Sequence, residues 1–198
     1  MSMTLEMAEK DGWAFAREKP PDLDISSLLL VGYGNISRRD DGVALHVLRR
    51  LRIHLGLSLD GWEANTPLCP DGGARKPLAM ICVHQLAPEM AELVAQYDAV
   101  IFIDAHVPAA DWEPVAWQEI SPGYQPGMVG HHLKPGVVLA LSRSLYGHSP
   151  KGYTLSVLGY DFDFGEDLSS ETSDLADEAV AFLLGLIQAE GLWPKEIV

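Results

Sequence analysis

Two short, uninterrupted apolar runs constrain the fold of this chain more than any other feature. Residues 28–31 (LLLV) lead into Gly32, and residues 99–103 (AVIFI) lead into Asp104. A strand with one face in water alternates apolar and polar residues, whereas a strand covered on both faces is apolar throughout. Both runs are therefore predicted to be buried parallel strands in the middle of a sheet.

Segments with helical spacing of their apolar residues alternate with the strands. Four such segments begin near residues 43, 88, 135 and 170, the last of them capped by Ser169 or Ser170. Further strands are predicted at residues 80–83, at residues 112–120 as an exposed strand, and at residues 153–158. This alternation predicts an α/β fold: a single domain with a mostly parallel, twisted sheet and helices on both faces.

The length of 198 residues suits one domain of ordinary size. Pro20 and Pro21 separate an N-terminal extension, residues 1–26, from the predicted domain, residues 27–198. Within that domain, residues 57–79 are rich in proline and glycine and are predicted to be mostly an irregular insertion. No apolar run approaches the roughly 20 residues of a membrane helix, and no export signal is expected at the N-terminus.

Charge and cysteine content exclude several functional classes. The formal net charge of -14 at pH 7 opposes binding to a nucleic-acid backbone or to an anionic membrane surface. The two cysteines, Cys69 and Cys82, are too few for a disulfide framework or a four-thiolate zinc site. We therefore expect a cytoplasmic protein with no nucleic-acid partner and no membrane partner.

Three segments carry polar side chains toward the carboxyl ends of the predicted strands, where α/β sheets bind their ligands. They are residues 32–42 with Asp40 and Asp41, the strand end at Asp104, and the pair His131 and His132. Two carboxylates and an imidazole form a mixed oxygen and nitrogen ligand set, which suits a divalent ion such as nickel or zinc. Water or substrate would fill the remaining positions.

Each of these residues also has a structural interpretation. Asp40 and Asp41 can cap the helix that follows them, and Asp104 can cap another. Adjacent histidines point in different directions, so at most one of His131 and His132 is expected to enter a shared site. Exposure to solvent is the ordinary state of either one.

The glycine motif of residues 32–34 (GYG) follows a strand and so permits a nucleotide-binding interpretation. The third glycine of a dinucleotide-binding motif is replaced here by Ser37, and the helix begins only near Gly42. The sequence therefore gives weak support for a nucleotide site.

Taken in order, the segments resemble the nickel-iron hydrogenase maturation endopeptidases. The shared motifs are LVGYGN (residues 30–35), RDDG (39–42), VIFIDA (100–105), GHHLKP (130–135) and LYG (145–147). The resemblance covers about residues 28–190. It implies a phosphorylase/hydrolase-like α/β fold and a peptidase activity.

The resemblance also implies a set of site residues. The family's acidic residue before the first helix, its strand-end aspartate and its histidine after the central loop fall on Asp41, Asp104 and His131. His132 is the alternative ligand if the loop register shifts by one. These three residues are the expected catalytic and metal-binding residues.

The activity implied is the removal of the C-terminal peptide from a hydrogenase large-subunit precursor that already carries nickel. The nickel would arrive largely with that precursor, so the purified protein is expected to be metal-free. Whether the metal activates water or serves only in recognition stays open, and Asp40 or Asp41 is a candidate general base. The sequence has neither a Gly-x-Ser-x-Gly elbow nor a His-Glu-x-x-His helix, and Cys82 is expected in the core.

One departure from the family and two other functions stay open at this point. Many family members have Asp-Gly-Gly after the second strand, where this chain has His84 and Gln85, which either line the cleft or meet only water. The first alternative function is a nickel-dependent chaperone or binding module that docks the precursor without cutting it. The second is a nucleotide-binding domain that uses residues 32–35.

Overall fold

Six strands and four helices make up a computed structural model of the chain, which describes residues 14–15, 21–59, 77–108, 113–123 and 133–194. The strands are β1 (Ala14–Phe15), β2 (Leu28–Tyr33), β3 (Leu78–Val83), β4 (Ala99–His106), β5 (Val115–Ile120) and β6 (Lys151–Leu158). The helices are α1 (Val43–His54), α2 (Met90–Val94), α3 (Pro135–Tyr146) and α4 (Ser170–Ala189), and a 3₁₀ turn (Arg39–Gly42) precedes α1.

The strands form one sheet in the order β1-β5-β6-β4-β2-β3. Neighbouring strands are parallel from β3 through β2 and β4 to β6, whereas β5 runs antiparallel to β6 and β1 runs antiparallel to β5. The predicted mostly parallel sheet is confirmed. In a parallel sheet the carboxyl ends of β2, β4 and β6 meet at one edge, and this edge carries the candidate site.

Helices cover both faces of the sheet, as predicted. One core cluster joins α1 and α4 to the sheet and includes Ile101 and Ile103 of β4. The other joins α2 and α3 to the opposite face and includes Val100 and Phe102. Because successive strand residues point to opposite faces, β4 can be buried on both sides only if every position is apolar.

The strand predicted at residues 112–120 exists as β5, but the prediction that it is exposed is wrong. Val115, Ala116 and Trp117 are buried. Trp117 stacks on Tyr153 of β6 with a centroid separation of 4.8 Å and contacts Phe182 of α4 at 5.1 Å. The long helix α4 reaches over this part of the sheet and removes the strand's inner face from water.

Part of the predicted N-terminal extension contacts the domain. The backbone of β1 pairs with Ala116 and Trp117 of β5. Further along, the Glu190 carboxylate accepts hydrogen bonds from the backbone N–H groups of Leu23 and Ile25 at 2.5 and 3.2 Å. The division into residues 1–26 and 27–198 stays a prediction, and most of the predicted insertion, residues 60–76, lies outside the described part of the chain.

The helix ends follow local sequence rules. The Ser169 hydroxyl caps α4 by accepting the Thr172 N–H, which selects Ser169 from the two predicted caps. Gly147 ends α3 in the left-handed conformation with φ of 72°. Among the described helices, none is both long enough and apolar enough to span a lipid bilayer.

Candidate functional site

Polar side chains replace the apolar core at the carboxyl ends of β2, β4 and β6. Tyr33 and Asp104 each lie two residues from a neighbour that packs with α2 and α3. Ser156 lies four residues from Gly152, whose missing Cβ would point at Leu139 of α3, so the three side chains share that face. The register pairs Gly32 with Ile103 and Asp104 with Ser156, which brings the three side chains next to one another. The strand ends thus form the floor of the candidate site.

Asp104 occupies the centre of this floor. Its Oδ2 accepts a hydrogen bond of 2.6 Å from the Tyr33 hydroxyl. Its Oδ1 is buried and has no hydrogen-bond partner among the described residues. Burial raises the pKa of Asp104 to about 6, the hydroxyls of Tyr33 and Ser156 partly offset this increase, and the nearby charge of Asp41 adds to it.

Tyr33 is a hydrogen-bond donor that stays protonated. Burial raises the pKa of its hydroxyl well above the usual value, and the adjacent Asp104 carboxylate raises it further. A phenol in this state holds one oxygen of Asp104 and leaves the other free to meet a ligand.

Asp41 reaches the site from the 3₁₀ turn that precedes α1. Its Oδ2 accepts the Asn35 N–H at 2.9 Å. The turn can approach β2 this closely because residue 34 is glycine: its φ is +145°, and a Cβ there would lie 2.0 Å from the Asp41 carbonyl oxygen. Asp41 thus lies against Gly34, the residue after Tyr33, whose hydroxyl binds Asp104, so two of the three predicted site residues lie at the same edge of the sheet. The charge of Asp41 accordingly contributes to the raised pKa of Asp104.

Asp40, the neighbour of Asp41, is fully buried on the other side of the turn. Its Oδ2 accepts hydrogen bonds from the N–H groups of Tyr160 and Asp161 and from the hydroxyls of Ser169 and Thr172, each at 2.7 to 2.8 Å. Its Oδ1 accepts the Ser169 N–H at 2.7 Å. Burial acts to raise the pKa of Asp40, but these hydrogen bonds outweigh it and hold the pKa below 3.8. Asp40 therefore holds the fold together, and of the two aspartates Asp41 is the one that faces the site.

The predicted third ligand, His131, and its alternative, His132, lie outside the described residues. Within the described ranges, no group of three or more His, Cys, Asp or Glu side chains is arranged to hold a metal ion. Leu133 packs against the same core cluster as Tyr33, so the residue that follows the two histidines lies on the face of the sheet that carries the site.

His84 and Gln85 follow β3 and are exposed at the same edge of the sheet. The preceding residue, Val83, accepts the Gly34 N–H at 3.3 Å, so this loop lies beside the glycine turn. Whether His84 and Gln85 take part in the site stays a prediction.

Sequence reasoning missed Tyr33, Ser156 and His106. His106 is buried two residues beyond Asp104, and its Nδ1 lies 3.0 Å from the Ser156 hydroxyl. The sequence signal for His106 was its spacing of two residues from Asp104. Because β4 continues to His106, this spacing places both side chains on one face of the sheet. Tyr33 carried no signal, because a tyrosine at the end of an apolar strand is ordinary.

Both glycines of the 32–34 motif have packing reasons. A Cβ on Gly32 would lie 2.9 Å from Leu48 Cδ1 and 3.1 Å from Ala44 Cβ, so this glycine lets α1 lie close to β2. Gly34 makes room for the backbone of Asp41. Packing therefore accounts for both glycines without a bound phosphate.

Cys82 is buried, as expected. Burial raises the pKa of its thiol to about 11, so Cys82 is not an activated nucleophile.

Comparison with known proteins finds chains of similar structure. No protein-family model matches the sequence, and no curated protein matches it either. The hydrogenase maturating endopeptidase HybD from E. coli has a similar structure, with a TM-score of 0.62, 18% identity, and coverage of 83% of this chain and 94% of that one.

Two proteins from Thermococcus kodakarensis are also similar. The NiFe hydrogenase maturation protease HycI from strain KOD1 has a TM-score of 0.58 at 15% identity, covering 83% of this chain and 94% of its own. The maturation protease HybD has a TM-score of 0.54 at 17% identity, covering 81% and 98%. At such identities the likeness is one of fold: this chain has the single-domain α/β fold seen in hydrogenase maturation proteases.

Proposed function

We propose that this chain is a cytoplasmic endopeptidase that removes the C-terminal peptide of a hydrogenase large-subunit precursor. In this proposal the enzyme recognises the precursor through the nickel ion that the precursor carries. Solved proteins with the same fold are hydrogenase maturation proteases, which supports the activity. The motifs at residues 30–42, 100–105 and 130–135 support it independently of the fold.

The observation that carries the proposal is the unpaired oxygen of Asp104. Its Oδ1 is buried without a hydrogen-bond partner among the described residues, and a second carboxylate, Asp41, stands near it. A buried, unpartnered acceptor beside a like charge costs stability, so it is found mainly where a ligand uses it. A cation bound between the two carboxylates would relieve both costs.

The residues fit a divalent transition-metal ion. Asp41 and Asp104 would supply oxygen, and His131, or His132 in the shifted register, would supply an imidazole nitrogen. This mixture suits nickel and zinc better than magnesium or calcium, which prefer oxygen alone. The nickel of the proposal belongs to the precursor and leaves with it, so it is part of the substrate.

Peptide hydrolysis needs an activated water, a polarised carbonyl group and a proton for the leaving amine. Nickel, when bound with the precursor, would supply positive charge at the site. Asp41 and Asp104 orient the precursor at its metal, and Tyr33 keeps Oδ1 of Asp104 turned toward the ligand by holding Oδ2. With a pKa of about 6, Asp104 holds a proton in part of the unliganded molecules near neutral pH, and ligand binding displaces it.

The test is incubation of the purified protein with nickel-loaded and with nickel-free precursor, followed by intact mass measurement of the products. We expect the nickel-loaded precursor alone to lose its C-terminal peptide. The cutting rate should fall at least about 100-fold in each of the variants Asp41→Asn, Asp104→Asn and His131→Ala, because each variant removes one ligand. Asp174→Asn, an exposed change on α4, is the matched control and should cut at the wild-type rate.

Three results would contradict the proposal: an uncut nickel-loaded precursor, equal cutting without nickel, or normal cutting by Asp41→Asn. Tight binding of the precursor with no truncated product would instead favour the chaperone or binding module.

A further inference from the structure

Residues 159–168 (GYDFDFGEDL), which we call the aromatic-acidic loop, are fastened to the turn that carries Asp41. Arg38 donates from Nε and Nη2 to the Phe162 carbonyl at 3.0 and 2.7 Å. The Arg39 N–H donates to the Gly165 carbonyl at 2.8 Å, and the Gly165 N–H donates to the Ser37 carbonyl at 3.1 Å. The loop and residues 37–39 are thus held side by side by backbone and guanidinium hydrogen bonds.

Asp40 also links the turn to the loop, through its buried carboxylate. Its carboxylate binds the loop at Tyr160 and Asp161 and binds Ser169 at the start of α4. Because Asp40 and Asp41 are adjacent, the carboxylate that holds the loop and the one that faces the site belong to the same turn. The loop therefore has a defined position at the rim of the candidate site.

The loop exposes apolar side chains in spite of this order. Phe164 is 88% exposed and Tyr160 is 54% exposed, and Ile36, just before Ser37, is 38% exposed. At 88% exposure, the Phe164 side chain buries little apolar surface and so contributes little to the stability of the free chain. Exposed aromatic side chains of this kind are typical of the central contacts of protein interfaces.

The charge around these side chains points to a basic partner. Asp163, Glu166 and Asp167 are exposed, and none of them forms an ion pair with a described residue. Asp161 is already paired with Arg39 at 3.3 Å. Since the chain carries a formal charge of -14, a second copy would be repelled, whereas a surface with lysine or arginine around an apolar pocket would complement the loop.

We infer that the aromatic-acidic loop, with Ile36 beside it, is the docking surface for the body of the precursor protein. Phe164 inserts into an apolar pocket of the precursor whose edge carries lysine or arginine. The inference rests on the proposed function, because it takes the same precursor as the partner. Because the loop lies beside the turn that carries Asp41, the body of the precursor could be held at the loop while the segment to be cut lies at Asp41 and Asp104.

The test measures cleavage and binding of the nickel-loaded precursor by the full chain. Phe164→Ser should raise KM and the calorimetric Kd about tenfold or more and leave kcat unchanged, because in this proposal the ring touches the body of the precursor and not the bond that is cut. Leu145→Ser is the matched control, since Leu145 is 65% exposed on α3, and it should change neither.

Salt supplies a second readout. Kd of the wild type should rise as sodium chloride is raised from about 50 to about 500 mM. This dependence should weaken in the triple variant Asp163→Asn, Glu166→Gln, Asp167→Asn. A loss in kcat alone, an equal loss in Leu145→Ser, or no change of KM and Kd in Phe164→Ser would overturn the docking surface.

The outcomes separate the two proposals. A wild type that cuts the precursor while Phe164→Ser cuts it equally well overturns the docking surface and leaves the endopeptidase intact. A wild type that binds without cutting, with weaker binding by Phe164→Ser, supports the docking surface and contradicts the endopeptidase. A wild type that neither binds nor cuts overturns both.

Discussion

Replacing Asp104 by asparagine is expected to stabilise the metal-free protein near neutral pH while impairing its function. Asparagine keeps an acceptor for the Tyr33 hydroxyl but carries no charge. The variant therefore avoids the free-energy cost of burying a charged carboxylate and the repulsion between that charge and Asp41. These are the two effects that raise the pKa of Asp104. A residue retained at a cost in stability is what a ligand site in the unliganded state should contain.

The size of the effect follows from the pKa. Asp104 titrates at about 6 in the folded protein, against a usual value of 3.8, so the folded state binds this proton more tightly than the unfolded state. The wild type therefore loses stability as the pH rises through this interval and loses no more above it. At about 1.4 kcal/mol per pH unit the loss approaches about 3 kcal/mol, and we expect the variant to gain about 1 to 3 kcal/mol, since its amide N–H group also needs a partner.

The measurement is urea unfolding of wild type and Asp104→Asn in the presence of a chelator, from about pH 4 to about pH 8. The difference in the free energy of unfolding should be small near pH 4, grow up to about pH 6 and then stay constant. Asp174→Asn should differ from the wild type by less than about 0.5 kcal/mol throughout. A variant less stable than the wild type at pH 7.5, or a difference independent of pH, would refute the argument about Asp104.

Three further predictions concern the residues around the site. Tyr33→Phe removes the donor to Asp104 and should weaken binding of the nickel-loaded precursor about 10- to 100-fold by calorimetry, whereas an affinity equal to that of the control Tyr146→Phe would contradict a positioning role. Gly34→Ala should cost at least about 2 kcal/mol in urea unfolding because φ is +145° and the new Cβ meets the Asp41 carbonyl; a loss no larger than that of Gly147→Ala, which meets nothing within 4 Å, would disprove the clash. Asp40→Asn should cost about 3 kcal/mol or more at pH 7 because an amide cannot accept all five hydrogen bonds. The pKa of Asp40 lies below 3.8, so the wild type should lose this advantage only as the pH falls below that value, and a loss near neutral pH would show that another group is responsible.

Much of the fold was predictable because burial leaves a local record. The runs at residues 28–31 and 99–103 are apolar at every position, and β2 and β4 lie between two layers of helices. The burial of β5 was not predictable, because an alternating strand has the same sequence pattern whether one face meets water or a helix from a distant part of the chain. In this chain Phe182 of α4, far along the sequence, covers Trp117.

The candidate site divides in the same way. Asp104 was predicted because a carboxylate directly after a buried apolar run costs desolvation free energy unless a partner, a metal or a hydrogen-bond donor compensates for it. The resemblance pointed to Asp41 as the site residue, but the structural role of Asp40 was not predicted, since neither aspartate differs locally from the other. The difference lies in the partners of Asp40, which come from residues 160–172.

Local sequence pattern was therefore enough for the α/β class and the buried parallel strands, because apolar periodicity and chain breaks act within a few residues. It also placed Asp104 near the carboxyl end of a strand, although β4 continues two residues further, to His106. Packing and strand register settled the rest. Tyr33 and Asp104 are 71 residues apart, and they meet because β2 and β4 are parallel neighbours with Gly32 opposite Ile103. That contact is decided by which strands pair and at what offset, a property of the whole sheet that no single segment of the chain contains.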